Sequence, residues 1–212
     1  VPDRIASDLL LIARSPTTGR LRHRSSLEIG LRAALFADLA FQQRLVQSRS
    51  GPAVLTTGED PPSEDRVLDK VLTAVHEQPG VSWKRWYHHV GVDRAVLTKE
   101  LVEQGRWVRE RDRLGRVVHR DTDQDATLAL VQAALQVAEF QAQPRDGRQA
   151  VLAVLTTMCG SVVGRPKPRA LRQELKPLLD TAGISADPIR IAVEGALGGC
   201  GVAIRKRSRI LA

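Results

Sequence analysis

The sequence predicts a mainly α fold: a single-domain helix bundle over residues 1–212, with surrounding helices and one or two small β-hairpins. Three observations carry this. Apolar residues recur at helical spacing along most of the chain. Aromatics make up only 3% of the residues, so Leu, Val, Ala and Ile must fill the core, which favours packed helices over a sheet-rich sandwich. With 42% apolar and 26% charged residues, 212 residues can bury one good core, and no repeat, low-complexity stretch or linker divides it.

The elements follow in order. Asp3 to Ala13 predicts a short amphipathic helix, stopped at Ser15-Pro16. Leu27, Leu31, Ala34, Leu35 and Leu39 share a helical face, so Ser26 to Arg44 is the first long core helix. Leu45 to Gln47 and Ala53 to Thr56 flank Ser50-Gly51-Pro52 and predict a hairpin. Ser63 is the expected N-cap of a helix from Glu64 to His76. Gln78-Pro79-Gly80 breaks the chain before a short helix, Ser82 to His89. Asp93 is the expected cap of a helix through Gln104, closed by Gly105. Arg106 to Val108 and Arg116 to His119, around Arg113-Leu114-Gly115, predict a second hairpin. Helices at Asp123–Phe140, Gly147–Thr157, Lys167–Thr181 and Asp187–Arg205 complete the chain.

Catalytic templates are not met. No P-loop, no dinucleotide GxGxxG after a strand, no HExxH and no GxSxG elbow occurs, so the chain is expected not to be an enzyme and to need no cofactor. Gly195, Gly198, Gly199 and Gly201 follow no strand and suit close helix packing better than a phosphate cradle. His88-His89 point different ways on a helix and suit neither a ligand pair nor a base. Asp65 and Asp69 share a helix face that is expected to be solvated. Cys159 and Cys200 lack metal-ligand spacing, so no metal site is expected; both read as small buried hydrophobes in a reduced compartment. Ala126 to Phe140 and Ala150 to Val163 are too short or interrupted for the roughly 20 residues of a membrane span. Asp3, Arg4 and Asp8 around a short Leu run do not form a signal-peptide layout. A cytoplasmic protein touching a membrane only peripherally is therefore expected.

Charge is more informative. The formal net charge of +8 biases the chain towards polyanions. Only six of the 32 basic residues are Lys, a balance that suits a GC-rich, bacterial genome. The Arg cluster: Arg20, Arg22, His23 and Arg24 precede the first long helix, Arg32 lies inside it, and Lys84, Arg85 and Arg94 follow later. Arg106, Arg109, Arg111, Arg113, Arg116 and Arg120 load the second hairpin, with Leu114 apolar near its tip. Guanidinium forks suit phosphate. Two binding readings result. A helix from Asp93 followed by an Arg-rich hairpin has the layout of a DNA-binding winged helix. The same residues equally form a membrane-facing hairpin beside a phosphate pocket.

A resemblance tips this balance. Asp8-Leu9-Leu10-Leu11-Ile12-Ala13 with Gly19, the run Gly30 to Ala40 through Arg44-Leu45, Asp65 to Leu72, and Leu97 to Gly105 resemble, in order and spacing, segments of the Golgi phosphoprotein 3 family. Ala150 to Leu155 matches a later segment more loosely. The resemblance spans most of the chain. It implies a mainly α-helical fold, no catalysis, and binding of phosphatidylinositol 4-phosphate at a membrane. The family's headgroup pocket uses an aromatic, an Arg in the first long helix and two later basic residues. Carried over by position, these fall on His23 in place of the aromatic, on Arg32, and on Arg94, with Gly91 where the other cation stands. The family's bilayer-inserting hairpin falls on Arg106 to Arg120, so Arg111, Arg113, Leu114 and Arg116 are the expected membrane contacts. With Arg replacing apolar residues there, the resemblance implies salt-sensitive binding of anionic headgroups at the inner face of a membrane, with nucleic acid as the alternative partner.

Overall fold

The computed structural model describes residues 4–15, 17–21, 24–47, 52–54, 65–89, 94–139 and 141–159, together with 177, 179–180, 189–191 and 193. The chain is mainly α-helical, with helices α1 (Ile5–Ala13), α2 (Arg24–Phe41), α3 (Arg66–Glu77), α4 (Trp83–His89), α5 (Arg94–Glu103), α6 (Gln124–Ala138) and α7 (Gly147–Met158). Two antiparallel hairpins interrupt them: β1 (Leu45–Gln47) with β2 (Pro52–Val54), and β3 (Trp107–Arg111) with β4 (Val117–Asp121). Within the predicted helices Lys167–Thr181 and Asp187–Arg205, the described positions are helical. Their remaining residues, with Cys200 and the glycines around it, lie outside the described residues.

The first helix departs from its expected amphipathic character. Every residue of α1 except Asp8 is buried, because α1 packs against α2, α5, α6 and α7 at once. A helix enclosed this way needs partners for its leading N–H groups, and no side chain of its own cap supplies one. Asp38 of α2 does so, accepting from the Ile5 and Ala6 N–H groups at 3.2 and 3.4 Å, while Arg148 of α7 grips the same carboxylate at 3.0 Å. Burial pushes the Asp38 carboxyl up to about 7, against the opposing pull of Arg148, the two N–H groups and Arg4.

The tightest seam joins α2 to α7. A Cβ on Gly30 would collide with the Cys159 sulfur, so only glycine lets these elements approach so closely. Around it, the Ser26 hydroxyl donates to the Cys159 carbonyl at 3.2 Å and the Cys159 thiol donates to the Ser26 carbonyl at 3.4 Å. Cys159 is buried, as its sequence context predicts.

Two further features were not foreseen. The few aromatics are not dispersed: Trp83, Trp86 and Tyr87 of α4 gather on Phe36 of α2, with Phe36 and Trp83 edge to face at 5.1 Å. Aromatic scarcity described the whole chain but not this contact. Asp65 is no solvated surface residue. It caps α3, accepting from the Val67 and Leu68 N–H groups at 3.0 and 3.1 Å, and it ion-pairs with buried Arg4 at 3.0 Å. The helix consequently begins at Arg66, later than predicted, and the expected cap Ser63 lies outside the described residues. Asp69, by contrast, pairs with the partly exposed Arg44 at 3.3 Å.

Candidate anion-binding face

The second hairpin is longer than its sequence suggests. Its strands run through Arg111 and from Val117, so Arg109 and Arg111 belong to the ladder. Side chains alternate across a sheet. Trp107, Arg109 and Arg111 therefore share one face with Val117, His119 and Asp121, and Arg109 lies directly opposite His119.

The base of the hairpin is fixed by buried charge. Arg106 donates to the Asp123 carboxylate and carbonyl and to the Thr127 hydroxyl at 3.0–3.2 Å. Asp121, buried, accepts from the Thr127 hydroxyl at 2.5 Å and lies 3.8 Å from Arg14 of α1. Burial lowers the Arg14 pKa, with Asp121 opposing the shift. Arg14 also donates to the His119 carbonyl at 3.1 Å, and the His119 N–H donates to Gly19. These bonds tie β4 to α1 and to the loop before α2. Arg106 is thus structural and not part of an exposed basic surface.

Asp112 organises the tip. It accepts from the Leu114 and Arg116 N–H groups at 2.9 Å, from Arg116 Nε at 3.2 Å and from Arg20 at 2.8 Å. The Arg116 N–H and the Arg20 guanidinium foremost hold this carboxyl at about 2. Gly115 takes φ +72° to close the turn, and Arg111 donates to its carbonyl at 2.8 Å. Of the four expected membrane contacts, Arg111 and Arg116 are therefore held within the turn. Arg113 has no partner among the described residues, and Leu114 is 72% exposed.

Arg94 is held on α2 through a third residue, one helical turn from Arg32. Glu28 and Arg32 stand one turn apart on α2 and share a face. Glu28 accepts the Arg94 N–H at 3.3 Å, capping α5, and lies 3.8 Å from Arg94 Nε. Arg32 donates to the Tyr87 carbonyl at 2.6 Å, and its Nε is buried without a hydrogen-bond partner. Sequence reasoning missed Glu28, which puts a carboxylate on Arg94; its i,i+4 spacing from Arg32 was the available signal. His23, Gly91 and Asp93 lie outside the described residues, as do the side chains of His88 and His89.

Beside this patch a groove of about 660 Å³ runs between α5, residues 19–21 and the hairpin face that bears Arg109 and His119. Thr98, Lys99 and Val102 line its helical wall. Lys99, His119 and the inward aim of Arg109 were not singled out from the sequence. Placing the strand end at Val108 hid the alternation that reveals them. Among the described residues, no three His, Cys, Asp or Glu side chains gather as a metal site requires, and no helix is long and apolar enough to cross a membrane.

The fold is a helical bundle that carries a capped, arginine-bearing hairpin beside α5. Residues 5–197 match the family model of Golgi phosphoprotein 3 (GPP34), and the chain belongs to that family. No individual curated protein matches it.

Proposed function

We propose that this chain is a non-catalytic peripheral membrane protein that binds anionic phospholipid headgroups, phosphoinositides foremost, on the cytoplasmic face of a membrane. The observation that carries the reading is Arg94 of α5 held on Glu28 of α2, one helical turn from Arg32, although the two helices are far apart in sequence. Family membership supports a Golgi phosphoprotein-like fold beneath it. The neighbouring tip, where Arg113 has no partner among the described residues and Leu114 points outward, supports contact with a charged surface over an apolar layer. Each basic side chain near such a surface contributes about 1 kcal/mol, so binding is additive and salt-sensitive.

Liposome co-sedimentation tests this. Pelleting should rise with phosphoinositide content, fall as salt is raised, drop several-fold in Arg32→Ala and increase in Glu28→Gln. Equal pelleting with neutral vesicles, or none with any vesicle, would overturn the proposal. The order α4, α5, β3, β4 is also that of a winged helix, which keeps duplex DNA as a second reading. On α5, however, Lys99 is paired with Glu103 at 3.5 Å, leaving its exposed face little net charge for a DNA groove. A salt-sensitive, sub-micromolar gel shift without lipid preference would move the reading to DNA.

A further inference from the structure

We infer that the groove between α5 and the inner face of the second hairpin is a binding site for an anionic amphiphile, a phosphate monoester with a short apolar tail, with Arg109 and His119 as its phosphate donors. The inference stands on Arg109 and His119, neither of which the membrane reading uses, although Arg94 also lines the groove.

The charges come first. Arg109 and His119 are direct cross-strand partners on one face, and like charges so placed repel. No carboxylate is paired with either among the described residues. The other cations on the lining are engaged: Arg20 with Asp112, Arg94 with Glu28, and Lys99 with Glu103. The Arg109 guanidinium and the His119 ring nitrogens have no partner among the described residues. Two adjacent donors facing one cavity are left to a ligand, and an anion between them would convert repulsion into attraction. A guanidinium fork and an imidazole N–H together suit a tetrahedral oxyanion.

The shape selects further. Leu21, Val102 and Val117 line the same groove, so a headgroup held at Arg109 leaves its substituent against apolar side chains. Inorganic phosphate would use only half of this surface. His119 is also fixed in position. Its ring stacks on Trp107 at 5.3 Å and 29°, and its backbone is bonded on both sides, to Gly19 and to Arg14.

Proton coupling follows. Burial, then Arg109 and Arg14, lower the His119 pKa below its ordinary value. From the elements around it, Arg109 of β3, Arg14 of α1, Arg20 of the loop, and Lys99 and Arg94 of α5 oppose its protonation. Glu103 of α5 is the carboxylate on the groove lining, and Asp121, two residues along β4, is taken up by Arg14 and Thr127. A bound dianion reverses that balance, so binding takes up a proton and tightens as pH falls from 8 towards 6.5.

Calorimetric titration with hexyl phosphate, inorganic phosphate and hexanol tests the site. Hexyl phosphate should bind at least tenfold tighter than inorganic phosphate, hexanol should not bind, and Arg109→Gln should weaken hexyl phosphate at least tenfold. Arg109 has no structural partner among the described residues, so this variant should fold normally, which circular dichroism checks. His119→Gln should abolish the tightening between pH 8 and 6.5 while leaving binding at pH 8 within threefold. Vesicles containing phosphatidic acid form a second arm: Arg109-dependent pelleting identifies a lipid as the source of the ester, and Arg109-dependent binding of hexyl phosphate alone identifies a soluble one. Binding of hexyl phosphate that is no tighter than inorganic phosphate and indifferent to Arg109, with indifference of the vesicles too, would overturn the inference.

Discussion

Two sets of arginines divide this molecule. Near α1, Arg4 is buried, donates to Asp65 at 3.0 Å and pairs with Glu100, so a single side chain holds α1, α3 and α5 together. Arg14, also buried, does the same between α1 and β4. On the outer hairpin, Arg109 and Arg113 are exposed and brace no other described residue. The same residue type therefore serves as internal bracing at one end and as uncompensated attraction for an external anion at the other. Net charge does not distinguish these. Burial and pairing do, and a count of +8 overstates what a ligand can reach.

The contrast breaks most visibly at Arg4. Arg4→Met should cost about 3–5 kcal/mol in urea unfolding, because Asp65 and Glu100 would keep their charges without the guanidinium that offsets them. Adding Asp65→Asn and Glu100→Gln should recover much of that loss. Recovery would show that the damage comes from stranded carboxylates and not from lost packing.

Asp38 sharpens the comparison from the acidic side. Its folded carboxyl titrates at about 7, well above its value of 3.8 in an unfolded chain. Between these limits the native state holds the extra proton, so this contribution to stability is fully present below pH 4 and declines as pH rises towards 7. His119, lowered in the folded state, contributes the opposite slope in part of this range, and Asp112, held at about 2, acts below it. The difference between wild type and Asp38→Asn therefore isolates the effect. Unfolding free energies from urea titrations at pH 5 and pH 7.5 should diverge in the wild type, by up to a few kcal/mol, and the Asn variant should lose that part of the divergence.

The smallest stability effect is expected at Arg113. Arg113→Gln should change unfolding free energy by no more than about 0.5 kcal/mol, yet should reduce pelleting with anionic vesicles at low salt. A loss of stability comparable with Arg4→Met would erase the distinction between the two sets.

Much of this division was legible in the sequence, but unevenly. Periodicity located α2, α3, α6 and α7, because each presents an apolar face at the helical repeat. The Asp123 cap of α6 was also readable, since capping is local: its carboxylate accepts the Ala126 N–H at 3.1 Å. Arg32 and Arg94 were placed by resemblance, and the structure adds the pairing of Arg94 with Glu28, one turn before Arg32 on α2. What stayed hidden depends on tertiary contact. Nothing near Asp65 in sequence announces that Arg4 will cross to it, and a cap supplied by another helix, as Asp38 does for α1, leaves no local signature. The Arg109–His119 pairing was obscured for a different reason. A run of arginines masks the two-residue alternation that separates one face of a strand from the other.

The seam between α2 and α7 has a kinetic consequence. Cys159 lies where no reagent can reach its sulfur while Gly30 is pressed against it, and its thiol proton is already given to the Ser26 carbonyl. Alkylation of Cys159 under native conditions, resolved from Cys200 by peptide mass, therefore waits for the two helices to part. The rate of that labelling is a clock for the opening of the core, built into the chain and readable without any added probe.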